Sequence, residues 1–187
     1  MLGAACTHGT TTTSTPRAAS FELRQVRFSD TGQNAAASNP FTRGVIKAND
    51  PYRNDPGFAE APPDGAGDLV TYADANGDGF YTPGRDPKFV LGPAAITAGE
   101  VAAARAVDVP VGSSAAWRID VTLDAAGARS LHAFTKRMIG QRIAFVFDRL
   151  VISAPTVQSP IASGQLQIAG NFGEREAKQI AAALAAS

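Results

Sequence analysis

In "WRIDVTL", residues 117–123, apolar and polar positions alternate without a break. Trp117, Ile119, Val121 and Leu123 fall on one side; Arg118, Asp120 and Thr122 fall on the other. A two-residue period puts successive side chains on opposite faces of an extended chain, so the segment predicts a strand with one buried face. "RIAFVF" (142–147) is apolar on both faces and predicts a central strand. Asp148-Arg149 then reads as a two-residue turn into "LVISAPTV", which makes a hairpin. Arg149 is an odd residue for that turn, where glycine would avoid a left-handed penalty of roughly 1–2 kcal/mol. "FELRQVRF" predicts a strand with one irregular step, through Phe21, Leu23, Val26 and Phe28, and "KFVLG" and "QLQIAGNF" predict two more.

Other segments follow the helical period. Asp124 is placed to cap "AAGARSLHAFTKRMI", in which Ala128, Leu131, Thr135 and Met138 share one stripe. "GEREAKQIAAALAA" carries Glu174 and Glu176 near its positive end and turns Ala177, Ile180, Ala181 and Leu184 inward. A third helix is predicted over "ITAGEVAAARAV", where Thr97 and Glu100 have capping-box spacing. Interleaved strands and helices with one hairpin predict an α+β fold: a mixed β-sheet with helices packed on one face, a ferredoxin-like α/β sandwich. Residues 7–20 form a Thr/Ser/Ala tether with too little apolar content to fold. Residues 29–68, rich in Asn, Pro, Gly and Ala, predict a long excursion with little regular structure. The chain thus divides into a leader and tether (1–20), an N-terminal strand with a loop-rich spacer (21–87) and a folded domain (88–187).

Composition narrows the function. The 187 residues are enough for one domain without covalent staples. Charge is balanced, 17 basic against 17 acidic residues, with no basic run, which argues against a nucleic-acid partner. No apolar run approaches the roughly 18–20 residues of a membrane-spanning helix. The single cysteine, Cys6, excludes an internal disulfide. Its setting, "MLGAACTHGTTTTSTPRAAS", is similar to the end of a bacterial lipoprotein signal, although Leu2 lies four positions before the cysteine rather than three. Cys6 is therefore expected to carry lipid and to tether an exported protein to the outer face of the cell membrane. The plain alternative is a frayed terminus with a chance cysteine.

"DANGDGFYTPGRD" (74–86) opens like a calcium loop, with oxygen-bearing side chains on Asp74, Asn76 and Asp78 followed by Gly79. The twelfth position, where such a loop needs a bidentate acid, is Arg85, and Asp86 comes one residue late. Two short strands joined through Asn-Gly and Asp-Gly turn residues explain the same letters, so no cofactor is expected beyond a weak calcium option. Enzyme chemistry has few candidates. His8 lies in the tether, His132 stands alone on a helix and Asp148 opens a turn, with no nucleophile motif, phosphate loop or metal spacing.

"KFVLGPAAITAGEVAAARA", "WRIDVTLDAAGARSLHAFT" and "IAFVFDRLVISAPTVQSPIASGQLQIAGNFGEREAKQIAAAL" together resemble the head subdomain of the first periplasmic domain of SecD, the export-accessory membrane protein also found fused as SecDF. The likeness is most specific over Ile143 to Leu184 and covers mainly Lys88 to Leu184. Arg149 departs from the usual turn glycine, and Gly173 stands where a hydroxyl residue usually caps the last helix. SecD carries proton-driven membrane helices around this domain, so the chain is expected to be a stand-alone head held by lipid. The resemblance implies a non-catalytic cell-envelope module that contacts unfolded or translocating polypeptide, or the translocon. A sheet edge or the hairpin of Leu150, Val151, Ile152, Ser153, Ala154 and Pro155 would serve as its contact surface. A tethered domain reused for another ligand, calcium included, is the alternative, and a hydrolase around Asp148 or His132 the third reading.

Overall fold

A computed structural model describes residues 20–29, 67–75, 77, 85–109 and 117–186. Its strands, in chain order, are β1 (Phe21–Ser29), β2 (Leu69–Tyr72), β3 (Lys88–Thr97), β4 (Val101–Asp108), β5 (Trp117–Leu123), β6 (Ile143–Phe147), β7 (Leu150–Ser153) and β8 (Gln165–Ala169). The helices are α1 (Ala125–Arg137) and α2 (Glu174–Ala185). The strands form a five-stranded sheet in the order β2-β3-β1-β6-β7 and a three-stranded sheet in the order β4-β5-β8, with every strand pair antiparallel.

The class is α+β, as the hydrophobic pattern predicts, but one element is corrected. The segment 96–107, expected to be a helix, closes after a single turn (Ala98–Glu100) and continues as β4. The start signal is real: the Glu100 carboxylate accepts a hydrogen bond from the Thr97 N–H at 2.8 Å. Tertiary pairing then outweighs alanine's helix preference, because β4 runs beside β5 from Val101↔Leu123 to Asp108↔Trp117. Alanine also suits this strand. Its small side chains let α2, itself rich in alanine, pack directly on β4. With a strand here in place of a helix, the expected single mixed sheet becomes two antiparallel sheets.

Both helices lie on the inner face of the three-stranded sheet, α2 against β4 and β5, and α1 against β5 and β3. Asp124 caps α1 by accepting from the Gly127 N–H at 2.7 Å, whereas Gly173 gives α2 no side-chain cap. The main core joins Ile119, Val121 and Leu123 of β5, Leu166 and Ile168 of β8, Leu131 and Phe134 of α1, and Ile180 and Leu184 of α2. The five-stranded sheet closes it with Phe21, Leu23, Ile96, Ile143 and Phe145. On that sheet's opposite face Leu69, Phe89, Leu91, Ala144, Val146 and Val151 make a second, smaller core. β6 therefore buries alternate residues in different cores, which is why "IAFVF" is apolar throughout. The outer strands β2 and β7 approach each other around the second core, where the buried Thr71 hydroxyl donates to the Arg149 carbonyl.

Two polar devices hold this arrangement. Asp148 (φ 45°) and Arg149 (φ 75°) are both left-handed, the backbone of a tight hairpin turn whose twist matches its strands. Arg24 is completely buried on β1. Its Nε donates to Glu22 at 2.6 Å, and one terminal nitrogen donates to the carbonyls of Gly67 and Gly92, each at 2.8 Å.

Arg24→Met would leave the half-buried Glu22 carboxylate and the Gly67 and Gly92 carbonyls without their cation, and is expected to cost about 2 kcal/mol or more in chemical denaturation. Two glycines separate backbone strain from packing. Gly164 (φ +68°) has room for no Cβ, which would fall 2.7 Å from the Ala128 Cβ, whereas Gly140 (φ +77°) has nothing within 4 Å. Gly140→Ala should cost about 1–2 kcal/mol from the left-handed backbone alone, and Gly164→Ala roughly 2–4 kcal/mol, in the same unfolding experiment.

Candidate binding surface on the outer sheet face

The helices cover one face of the three-stranded sheet. On the other, alternation along β5 presents Arg118, Asp120 and Thr122, and the neighbouring strands add Arg105 from β4 and Gln165 and Gln167 from β8. Register aligns Arg105, Asp120 and Gln167 in one row across the three strands. These groups line an open groove of about 270 Å³.

Asp120 is the hub of the groove. Arg118 Nε donates to its Oδ1 at 2.8 Å, and Arg105 Nη2 donates to its Oδ2 at 3.0 Å. Partial burial pushes the Asp120 carboxyl up, but the hydrogen bonds and charges of Arg118, and then of Arg105, outweigh it and hold the pKa below the ordinary aspartate value. Arg105 remains 76% exposed, so the pair adds little to stability, as surface ion pairs generally do. The row's significance lies in where it points. β4 is the terminal strand of its sheet, and among the described strands its far edge pairs with none.

The hairpin expected to bind is mostly engaged in packing. Leu150 and Ser153 pair with Phe147 and Phe145 of β6, and Val151 pairs with Val146 and is buried in the second core. Ile152 packs against the main core and Ala154 against the second. The Ser153 hydroxyl donates to the Ala169 carbonyl at 2.8 Å. Pro155 is exposed, and its carbonyl accepts from the Ile143 N–H at 3.0 Å. Of the calcium candidates, Asn76 and Asp78 lie outside the described residues. Asp74 Oδ1 accepts from the Gly77 N–H at 2.7 Å, and the buried Asp86 accepts from the Ala75 N–H at 3.0 Å, so both carboxylates brace the turn. Among the described residues no three His, Cys, Asp or Glu side chains cluster to hold a metal. His132 is exposed on α1 and Asp148 is exposed in the hairpin turn. Cys6 and His8 lie outside the described residues.

Two contributors escape sequence reasoning. Arg105 falls in the segment expected to be a helix, and an alanine-rich strand offers no contrast between its faces to signal otherwise. Arg24 gives little local sign of burial. Thr135 is buried on the α1 stripe as its spacing predicts, and it also accepts from the Ile161 N–H at 3.0 Å, which fastens the loop before β8.

The ion-pair row makes a pH prediction. Because folding lowers the Asp120 pKa, its contribution to stability is fully present above the unfolded pKa and is lost as pH falls through the folded one. Asp120→Asn should therefore flatten the acid limb of a Tm-against-pH curve, with the largest difference from wild type above the ordinary aspartate range and convergence below it.

A family model described as SecDF, P1 head subdomain, matches residues 79–187, which contain the whole three-stranded sheet and both helices. The protein translocase subunit SecD of Acetobacter pasteurianus is 36% identical over 70 residues, 37% of this chain and 13% of that protein. The protein translocase subunit SecDF of Thermus thermophilus is 35% identical over 94 residues, 50% of this chain and 12% of that protein. A solved structure of SecDF, described as a membrane component that enhances protein export, superposes with a TM-score of 0.55 at 26% identity, covering 90% of this chain and 63% of that one. The chain therefore aligns with only about an eighth of the length of these two curated relatives. With more than half of its residues matched, and with the fold that the match requires, the chain belongs to the SecDF P1 head subdomain family.

Proposed function

We propose that this protein is a non-catalytic module that works outside the cytoplasmic membrane and assists protein export by contacting translocating polypeptides or the translocon. Membership of the SecDF head family supports the export role, because its relatives are translocase subunits. In this reading lipid on Cys6 supplies the membrane attachment.

The observation that carries the binding role is the outer edge of β4, which pairs with none of the described strands. A strand with one unpaired edge presents a row of backbone donors and acceptors, and an extended chain can satisfy them whatever its sequence. Such sequence tolerance is what a module serving many exported proteins requires. The exposed positions Pro155 and Thr156, just past β7, form a second surface for the same clients or for the translocon.

In-cell photo-crosslinking tests this reading. A crosslinker at Ala103 on β4 or at Thr156 should yield adducts with translocon subunits or with a spread of exported proteins. One at Arg129, on the exposed side of α1, should yield few. A single dominant unrelated partner, or equal labelling from all three positions, would refute it.

A further inference from the structure

We propose that the outer-face groove is a subsite for an acidic side chain carried by an extended polypeptide that adds to β4 along the edge where no described strand pairs. The inference rests on the binding role proposed above and names the client chemistry.

Register sets the geometry. Arg105 stands directly opposite Asp120 on β5. A strand added on the open side of β4 would set one of its own residues opposite Arg105, on the same outer face and at the same cross-strand spacing. Arg105 can serve both sides. A guanidinium carries five N–H donors, the bond to Asp120 is made by Nη2, and the side chain is 76% exposed.

Charge then selects the occupant. Arg105 and Arg118 converge on the single carboxylate of Asp120, which leaves the groove with one surplus positive charge. A client carboxylate opposite Arg105 neutralises that surplus and extends the alternation across the sheet to client acid, Arg105, Asp120 and Gln167. A client lysine there would add a third cation. Like charges directly opposite each other destabilise a sheet. Thr122, Gln165 and Gln167 are neutral and leave the arginines to decide.

The test uses the full chain and blocked nine-residue peptides of Thr, Val and Ser that differ only in a central Glu or Lys. Dissociation constants come from fluorescence anisotropy. The Glu peptide should bind about two- to fivefold more tightly than the Lys peptide. Arg105→Glu, on an exposed side chain and checked for an unchanged circular-dichroism melt, should reverse that order. N-methylation at alternate residues of the Glu peptide, which removes donors to the edge, should abolish binding. Equal affinity for the two peptides, an order unchanged in Arg105→Glu, or full binding of the N-methylated peptide overturns the proposal. An unfolded, reduced and alkylated protein assayed in parallel separates the two levels. Binding of that protein without Glu/Lys discrimination refutes the acidic subsite and leaves the client-binding role standing. Discrimination between the peptides without binding of the unfolded protein refutes the export-client role and leaves an acidic-peptide site. Binding of neither refutes both.

Discussion

The structure depends on a sheet that has to bury both of its faces. β1 and β6 lie in the middle of the five-stranded sheet, with Phe21, Leu23, Ile143 and Phe145 turned to the main core and Ala144 and Val146 turned to the second. A strand buried on both sides cannot slip by one residue without exchanging its two sets of side chains, so its register is strongly specified. The candidate binding surface is positioned from that constraint. The main core fixes the helices, the helices occupy the inner face of the three-stranded sheet, and the outer face with its terminal strand is what remains exposed.

The legible parts of this fold are those in which pattern and environment coincide. Strict alternation from Trp117 to Leu123 is the signature of a half-buried strand, and that is what β5 is. The apolar run at 143–147 shows double burial for the same reason, and the inward stripes of α1 and α2 follow the helical period. β4 was illegible because its information is not local. Alanine at 102, 103, 104 and 106 suits a helix or a tightly covered strand equally, and the Thr97–Glu100 signal starts one turn without saying how far it continues. Pairing with a strand still to come in the sequence decides the matter.

The same division holds for the candidate site. Arg118 and Asp120 were readable as outward-facing, but their partner Arg105 was hidden inside the misread helix. Arg24 illustrates a different limit. Glu22, two residues away in "FELRQV", is a local partner for Arg24, but nothing in that stretch shows the two carbonyls, from Gly67 and Gly92, that replace water around the guanidinium. Burying a charge is tolerable only when such partners converge, and convergence is a property of the finished fold.

The position of β1 also has a temporal consequence. The strand pairs with β3 on one side and with β6 on the other, partners that reach to Phe147, more than a hundred residues further along the chain. Ribosomal synthesis, at about 5–20 residues per second, exposes β1 roughly ten seconds before its last partner exists. Loop closure over that distance makes its docking a late event rather than a nucleus. Residues 117–186, by contrast, contain β5, α1, β8 and α2 within one short stretch and can begin to organise as soon as they emerge. The end made first would then be the end secured last.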